Sequence, residues 1–299
     1  MRVSTFGQYT TLVQHMTRLE GTVAEAQIQQ ASQLKSSRFS GLDGQAATLL
    51  DLEGDLSRSA TYIANGEAAV SRINATYSAL QSVSDLATSF RTSLTAFNTV
   101  TGDAGTLQQT AQGMLEDLAA TLNQRSAGQY LFAGSATNTA PVRIDSASYP
   151  ALSSPSSATT SYYQGDATRP SVRVSDTLTV SYGITAADPS LEALMRALNL
   201  VASASPLDES TLTEAGGLVE SAGTGIATGL ETLSAAASQI QDTLDRQTDL
   251  QLYAESWIED IKGVDVAEVQ TRLSTLETSL EATMQAIATF QKLSLGDYL

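Results

Sequence analysis

Residues 264–299 carry apolar side chains at Val266, Val269, Leu273, Leu276, Leu280, Ile287 and Phe290. Steps of three and four separate them, with Thr283 in the one slot that breaks the run and Met284 beside it. That spacing is the seam of a helix lying along another helix. Such a stripe is not stable alone in water, so the helix needs a partner. The other end of the chain supplies a weaker version of the pattern. Phe6, Tyr9, Val13, Met16, Val23 and Leu34 keep much of the spacing, with polar gaps at Glu20, Gln27 and Gln30. The expectation is a coil made by the two ends, with each other or with neighbouring copies.

Between the ends the chain reads as mostly long helices. Residues 1–40 form the first, broken by the turn chemistry of Ser40-Gly41-Leu42-Asp43-Gly44. From Gln45 to about Phe97 the helical pattern resumes through Leu49, Leu52, Leu56, Ile63, Val70, Ile73, Tyr77 and Leu80, and continues after a phase slip at Phe90, Leu94 and Phe97. A further helix follows over about Thr106 to Gln124, with Leu107, Met114, Leu115, Leu118 and Leu122 inward. Residues 128–185 hold the strand signals. Val172 and Val174, then Leu178, Val180, Tyr182 and Ile184, alternate around a Ser175-Asp176-Thr177 turn, and residues 146–161 read as an exposed Ser/Thr/Ala/Pro loop. Three or four short strands are expected. Asp188-Pro189 restarts the helix, Asp as cap and Pro where no helical N–H is lost. Leu191, Leu194, Leu198 and Val201 make that helix amphipathic. A long helix then runs from Asp208 to about Asp260. Leu212, Val219, Ile226, Leu233 and Ile240 fall every seven residues, with Leu230, Ala237 and Leu244 in the offset slot and Gly216, Gly223 and Gly229 near the seam. Gly263 breaks it.

The fold class is therefore mainly α: a long-helix, coiled-coil bundle built from the N- and C-terminal parts of the chain, with a small inserted β-containing domain. Its parts are nested. Residues 1–42 with 263–299 form a domain of terminal helices, 43–127 with 186–262 a helical bundle domain, and 128–185 the β-rich insert.

Little in the chain suits catalysis. The only histidine is His15, and there is no cysteine, which excludes disulfides and thiolate metal sites. Neither a phosphate-binding loop nor a calcium loop occurs. Glu255, Glu259 and Asp260 lie one turn apart, but on an acidic helix they read as a solvated face. Neither an enzyme nor a cofactor or metal is expected; a carboxylate-dependent hydrolase using Glu255 and Glu259 is the reading to test against. The net charge is −16, and residues 200–299 hold 16 of the 32 acids but 4 of the 16 bases. Phosphate-backbone binding is not expected of such a surface. No run approaches the ~18–20 apolar residues of a membrane span. Met1 to Tyr9 has no apolar core of a secretory signal, so if the protein is extracellular another export route must carry it.

Four stretches carry a resemblance. They are the opening Met1-Arg2-Val3-Ser4-Thr5; Gly128-Gln129-Tyr130-Leu131-Phe132-Ala133-Gly134-Ser135; Tyr163-Gln164-Gly165-Asp166 with Val172-Arg173-Val174-Ser175; and the ending Ser294-Leu295-Gly296-Asp297-Tyr298-Leu299. With them the chain resembles the flagellin-like family of the bacterial flagellum, and within it the hook–filament junction proteins. It departs from the family at Gly296, where a leucine is usual, and at Gly41-Leu42-Asp43-Gly44, where many members carry a double aspartate and proline. The resemblance implies that the terminal helices form an inner domain, the helical bundle a middle one and the β-rich insert an outer one, and it implies export through the flagellar type III apparatus after binding a cytoplasmic chaperone. It also implies an extracellular place at the junction, in contact with neighbouring copies, flagellin and the other junction protein. The residues expected to make assembly contacts are Phe6, Val13, Met16, Val23, Val266, Val269, Leu273, Leu276, Leu280, Ile287, Phe290 and Leu299. Flagellin itself is the alternative within the family; an adhesin or sensor coiled coil is the alternative outside it, and would need a signal or anchor.

Overall fold

The computed structural model describes residues 2–42, 44–97 and 102–296, and the side chains among them except those of 2–6, 290 and 292–296. Among these residues there are six α-helices: α1 (Arg2–Ser32), α2 (Ala46–Ala96), α3 (Ala104–Leu122), α4 (Pro189–Ser203), α5 (Glu209–Lys262) and α6 (Val266–Gly296). Two antiparallel hairpins lie between α3 and α4. β1 (Arg125–Ser126) pairs with β2 (Gln129–Tyr130), and β3 (Ser171–Arg173) with β4 (Thr179–Ser181) in the register Val172–Val180. The expected Ser175 turn closes the second hairpin, where the Ser175 hydroxyl accepts from the Leu178 N–H at 3.0 Å.

The chain divides into two compact units, Met1–Arg58 with Leu250–Leu299, and Ser59–Asp249. The second unit has one apolar core fed by α2, α3, α4, α5 and the hairpins together. Phe90, Leu118, Phe132, Tyr162, Leu194 and Ile226 all bury into it.

Three helices depart from their sequence readings. On α2 the buried line runs through Ala69, Ile73, Thr76, Leu80, Val83, Ala87 and Phe90 without a phase slip, and Tyr77 is exposed. On α5 the slot paired with Val219, Ile226, Leu233 and Ile240 is filled by Ala215, Ala222, Ala236 and Thr243, while Leu230 and Ala237 are half-buried. Small residues hold the seam because the backbones approach closely. A Cβ on Gly66 would stand 2.5 Å from Leu244, and one on Gly225 2.5 Å from Ser190. Gly216 and Gly223, by contrast, face open space. The third case is α4, whose polar side is buried as well as its apolar one. Met195, Ala197, Asn199 and Leu200 are buried along with Leu191, Leu194, Leu198 and Val201. Its polar side is covered by the Ser/Thr-rich loop. The Glu192 carboxylate accepts from the Thr159 N–H at 3.0 Å and pairs with Arg196, and Asn199 donates to the Pro150 carbonyl at 2.9 Å. At the start of α4, Asp188 accepts from the Ser190 N–H and Pro189 takes the first helical position, as the sequence predicts.

Candidate assembly interface

The first helix stops at Ser32, earlier than the sequence reading. Gln33 takes a left-handed φ of 59° and turns the chain, so Leu34 leaves the helical stripe. Leu34 instead forms an antiparallel bridge with Gly263 at the break between α5 and α6. The Lys35 N–H donates to the Lys262 carbonyl at 2.7 Å, and the Val264 N–H to the Gln33 carbonyl at 3.1 Å. Two breaks far apart in sequence are thus stitched into one corner. Leu42, Leu49 and Ile261 pack beside it, and Lys262 pairs with Glu53.

From that corner α1 and α6 run back antiparallel. Gln30 bonds Gln270, Arg272 bonds Gln29, and Gln291 reaches the Tyr9 hydroxyl at 3.3 Å. Residue n of α1 therefore lies across from about residue 300 − n of α6. Near the corner the seam is closed: Val23, Ala26, Val269 and Leu273 are buried together, with Leu276 against them. Leu19 and Ala26 fill the slots where the sequence reading saw polar gaps. Those gaps came from following Glu20 and Gln27, each one residue out of phase. Further along, Tyr9, Leu12, Val13, Met16, Leu280, Thr283 and Ile287 are only half-buried. Two helices cannot cover both sides of a coiled-coil seam unless the seam is narrow, so this stretch still offers apolar surface to a further helix.

Of the expected contact residues, Val13, Met16, Val23, Val269, Leu273, Leu276, Leu280 and Ile287 thus share the α1–α6 seam. Val266 stands apart, exposed in the first turn of α6. Leu299 and the side chains of Phe6 and Phe290 lie outside the described residues.

The two internal signature stretches, separate in sequence, meet in space. The Asp166 carboxylate accepts from the Ser135 N–H at 3.0 Å, from the Ser135 hydroxyl, and from the Thr168 N–H at 2.8 Å. The Asp166 N–H donates to the Ala133 carbonyl, and the Tyr163 hydroxyl donates to the Asp166 carbonyl at 2.6 Å. The bonds from Ser135 and Thr168 hold the Asp166 carboxyl down at about 2. Burial, with Asp166 nearby, pushes the Tyr163 hydroxyl up to about 12. Gly134, at φ 70°, passes directly under Asp166. The knot is therefore an architectural clasp, and it accounts for the residue types that carry the resemblance. Because the folded pKa is depressed, the clasp contributes stability above the ordinary aspartate value, lost as pH falls from about 4 through about 2. Thermal unfolding between pH 2 and 5 should show a steeper loss for the natural chain than for Asp166→Asn. Parallel profiles would refute the clasp.

Glu255 and Glu259 are exposed on α5 and His15 is exposed on α1. Among the described residues no group of three His, Asp or Glu side chains could hold a metal, and no helix is long and apolar enough to cross a membrane.

No family model matches the sequence, and no curated protein matches it. Solved structures do match. A protein of Vibrio parahaemolyticus assigned as a flagellar hook-associated protein superposes with a TM-score of 0.59 at 16% identity, covering 72% of this chain and 96% of that one. The chain has the fold of a flagellar hook-associated protein. Flagellar hook-associated protein 3 of Legionella pneumophila is more distant, with a TM-score of 0.44 at 11% identity over 75% of this chain and 98% of that one. The mainly α, long-helix architecture read from the sequence is the one this fold has, with both ends of the chain brought into a single unit.

Proposed function

We propose that this chain is a structural subunit of the bacterial flagellum, an adaptor at the junction of hook and filament. The observation that carries the reading is the α1–α6 pair, closed at its corner and half-covered toward its ends, within a hook-associated fold. A subunit of a tube needs such ends: ordered enough to present a seam, and unfinished until a neighbour adds its own helices. The partners are neighbouring copies, flagellin and the other junction protein, reached after type III export with a cytoplasmic chaperone. In this reading the corner at Leu34 and Gly263 separates the terminal-helix domain, 1–42 with 263–299, from the bundle, and 128–185 forms the outer part.

Deletion of the gene is the test. Cells lacking this protein should build hooks yet shed flagellin into the medium as free monomer. Normal filaments in the deletion strain would overturn the proposal. Abundance separates the flagellin alternative, since a filament subunit dominates sheared filaments and an adaptor is a trace component.

A further inference from the structure

The chain holds five methionines and no cysteine, so thioethers are its only sulfur groups. Met1 lies outside the described residues. Met195 is fully buried on α4, and Met114 is half-buried on α3 against the core of the second unit. The other two sit on the two helices of the terminal coil. Met16 is half-buried on α1, and Met284 is 45% exposed on α6. Their positions are matched. The bonds across the coil set residue n of α1 opposite about residue 300 − n of α6, and Met16 and Met284 fall on that relation. The two thioethers therefore stand at one level of the coil.

That level is where the coil's coverage changes. On the corner side of it Leu19, Val23 and Ala26 are buried; on the far side Tyr9, Leu12 and Val13 are half-buried. Methionine suits such a layer, because its unbranched chain fills an irregular gap. Its sulfur is also the group that a dissolved oxidant attacks, and neither Met16 nor Met284 is sealed from water. A peroxide delivers one oxygen atom to each sulfur. The O–O bond breaks, an S–O bond forms, the sulfur gives up two electrons, and hydrogen peroxide leaves as water. The product is a polar sulfoxide whose oxygen needs a hydrogen-bond donor. Leu12, Val13, Leu280 and Ile287 of the seam have none, and the Thr283 hydroxyl already donates to the Ser279 carbonyl at 2.8 Å. An unpartnered oxygen in the seam costs more than leaving it, so the oxidised side chain turns to water and its layer opens.

We propose that Met16 and Met284 are an oxidative modification site whose reactant is a peroxide, and that their sulfoxides release the outer stretch of the terminal coil while the corner stays closed. The corner holds because Val23, Ala26, Val269 and Leu273 are buried there without any sulfur. The outer stretch gives way because it is already half-covered. Only the consequence rests on the assembly reading above: an oxidised subunit presents no ordered seam to its neighbour. The release itself is a property of the single chain.

The test uses the full chain, dilute enough to be monomeric, with Met114→Leu so that the second unit keeps only its buried sulfur. After treatment with hydrogen peroxide, peptide mass spectrometry should find sulfoxide at Met284 and Met16 well before Met195. Amide exchange over residues 7–18 and 282–291 should then rise by about tenfold or more, while 19–32 and 266–280 keep their protection. Methionine sulfoxide reductases should restore the outer protection. A second chain carrying Met16→Leu and Met284→Leu as well keeps the side-chain volume without the sulfur, and should show no rise. Circular dichroism checks that both chains fold. Sulfoxides at both positions with unchanged exchange overturn the inference. So does an equal rise in the leucine chain, or exchange over the outer stretch that is already at the unfolded rate before peroxide. Sedimentation separates the two claims: a chain that never associates, treated or untreated, counts against the assembly reading alone, and the exchange data decide the inference.

Discussion

Removing residues 264–299 should abolish more helix than α6 contains. α1 and α6 are each 31 residues long, and α1 is a poor helix by itself. It carries Gly7 and Gly21, both facing open space, and a series of β-branched residues including Thr10, Thr11, Val13, Thr17, Thr22 and Val23. Each such glycine costs about 1 kcal/mol relative to alanine in a helix, and β-branched side chains lose rotamer freedom there. What holds α1 is burial of Leu19, Val23 and Ala26 against α6, and that ends with the deletion. The far-UV signal should therefore fall by about twice the share of α6. Amide exchange over residues 7–32 should rise to the rate of an unfolded chain, while residues 59–249 stay protected. Adding Gly7→Ala and Gly21→Ala to the truncated chain should recover part of the lost helix. A loss limited to the share of α6 would mean that α1 is held by something other than the seam, and the interface would have to be redrawn.

Helix starts were legible where a side chain caps the free N–H groups, as at Asp188 and Asp208, because capping is local chemistry. The helical period was legible too, but its phase was not always. Ala26, Gly66, Thr76, Ala215 and Ala222 are seam residues that an apolar count skips, since their role is to let backbones approach and they bury little area themselves. Reading the large residues alone moved the seam to Tyr77 and Leu230. The burial of α4 was out of reach for a different reason. Glu192, Arg196 and Asn199 look like a solvent face, and only the arrival of residues 149–162 covers them, a contact made by chain folding and not by any local pattern. The same holds for the clasp. Its two halves were recognisable as separate stretches, yet nothing in their spacing says that Ser135 meets Asp166.

Gly134→Ala should be among the most damaging single-methyl changes in the chain. Gly134 combines a positive φ of 70° with contact on the Asp166 backbone, so an added Cβ would press on the Asp166 carbonyl carbon at 3.1 Å and on its carboxylate at 2.6 Å as well as on the carbonyl oxygen. Backbone cannot swing aside as a flexible side chain can, and the same peptide receives the Tyr163 hydroxyl. Conformational strain and steric overlap together should cost about 3 kcal/mol or more. Two other glycines separate the two contributions. Gly128 has φ 81° but open space around it, so Gly128→Ala carries the strain alone, about 1 kcal/mol. Gly113 lies in α3 with open space and a helical backbone, so Gly113→Ala should stabilise by up to about 1 kcal/mol. Urea unfolding of the three variants should rank them Gly113→Ala, Gly128→Ala, Gly134→Ala in falling stability. Equal losses at 128 and 134 would show that the approach of the two signature stretches is looser than the hydrogen bonds around Asp166 require, and the clasp would lose its claim to hold the insert. If the ranking stands, Gly134→Ala should leave the α1–α6 pair intact, because the clasp and the terminal coil lie in different compact units. Amide protection kept over residues 19–32 and 266–280 while it falls over 130–166 is the pattern to expect.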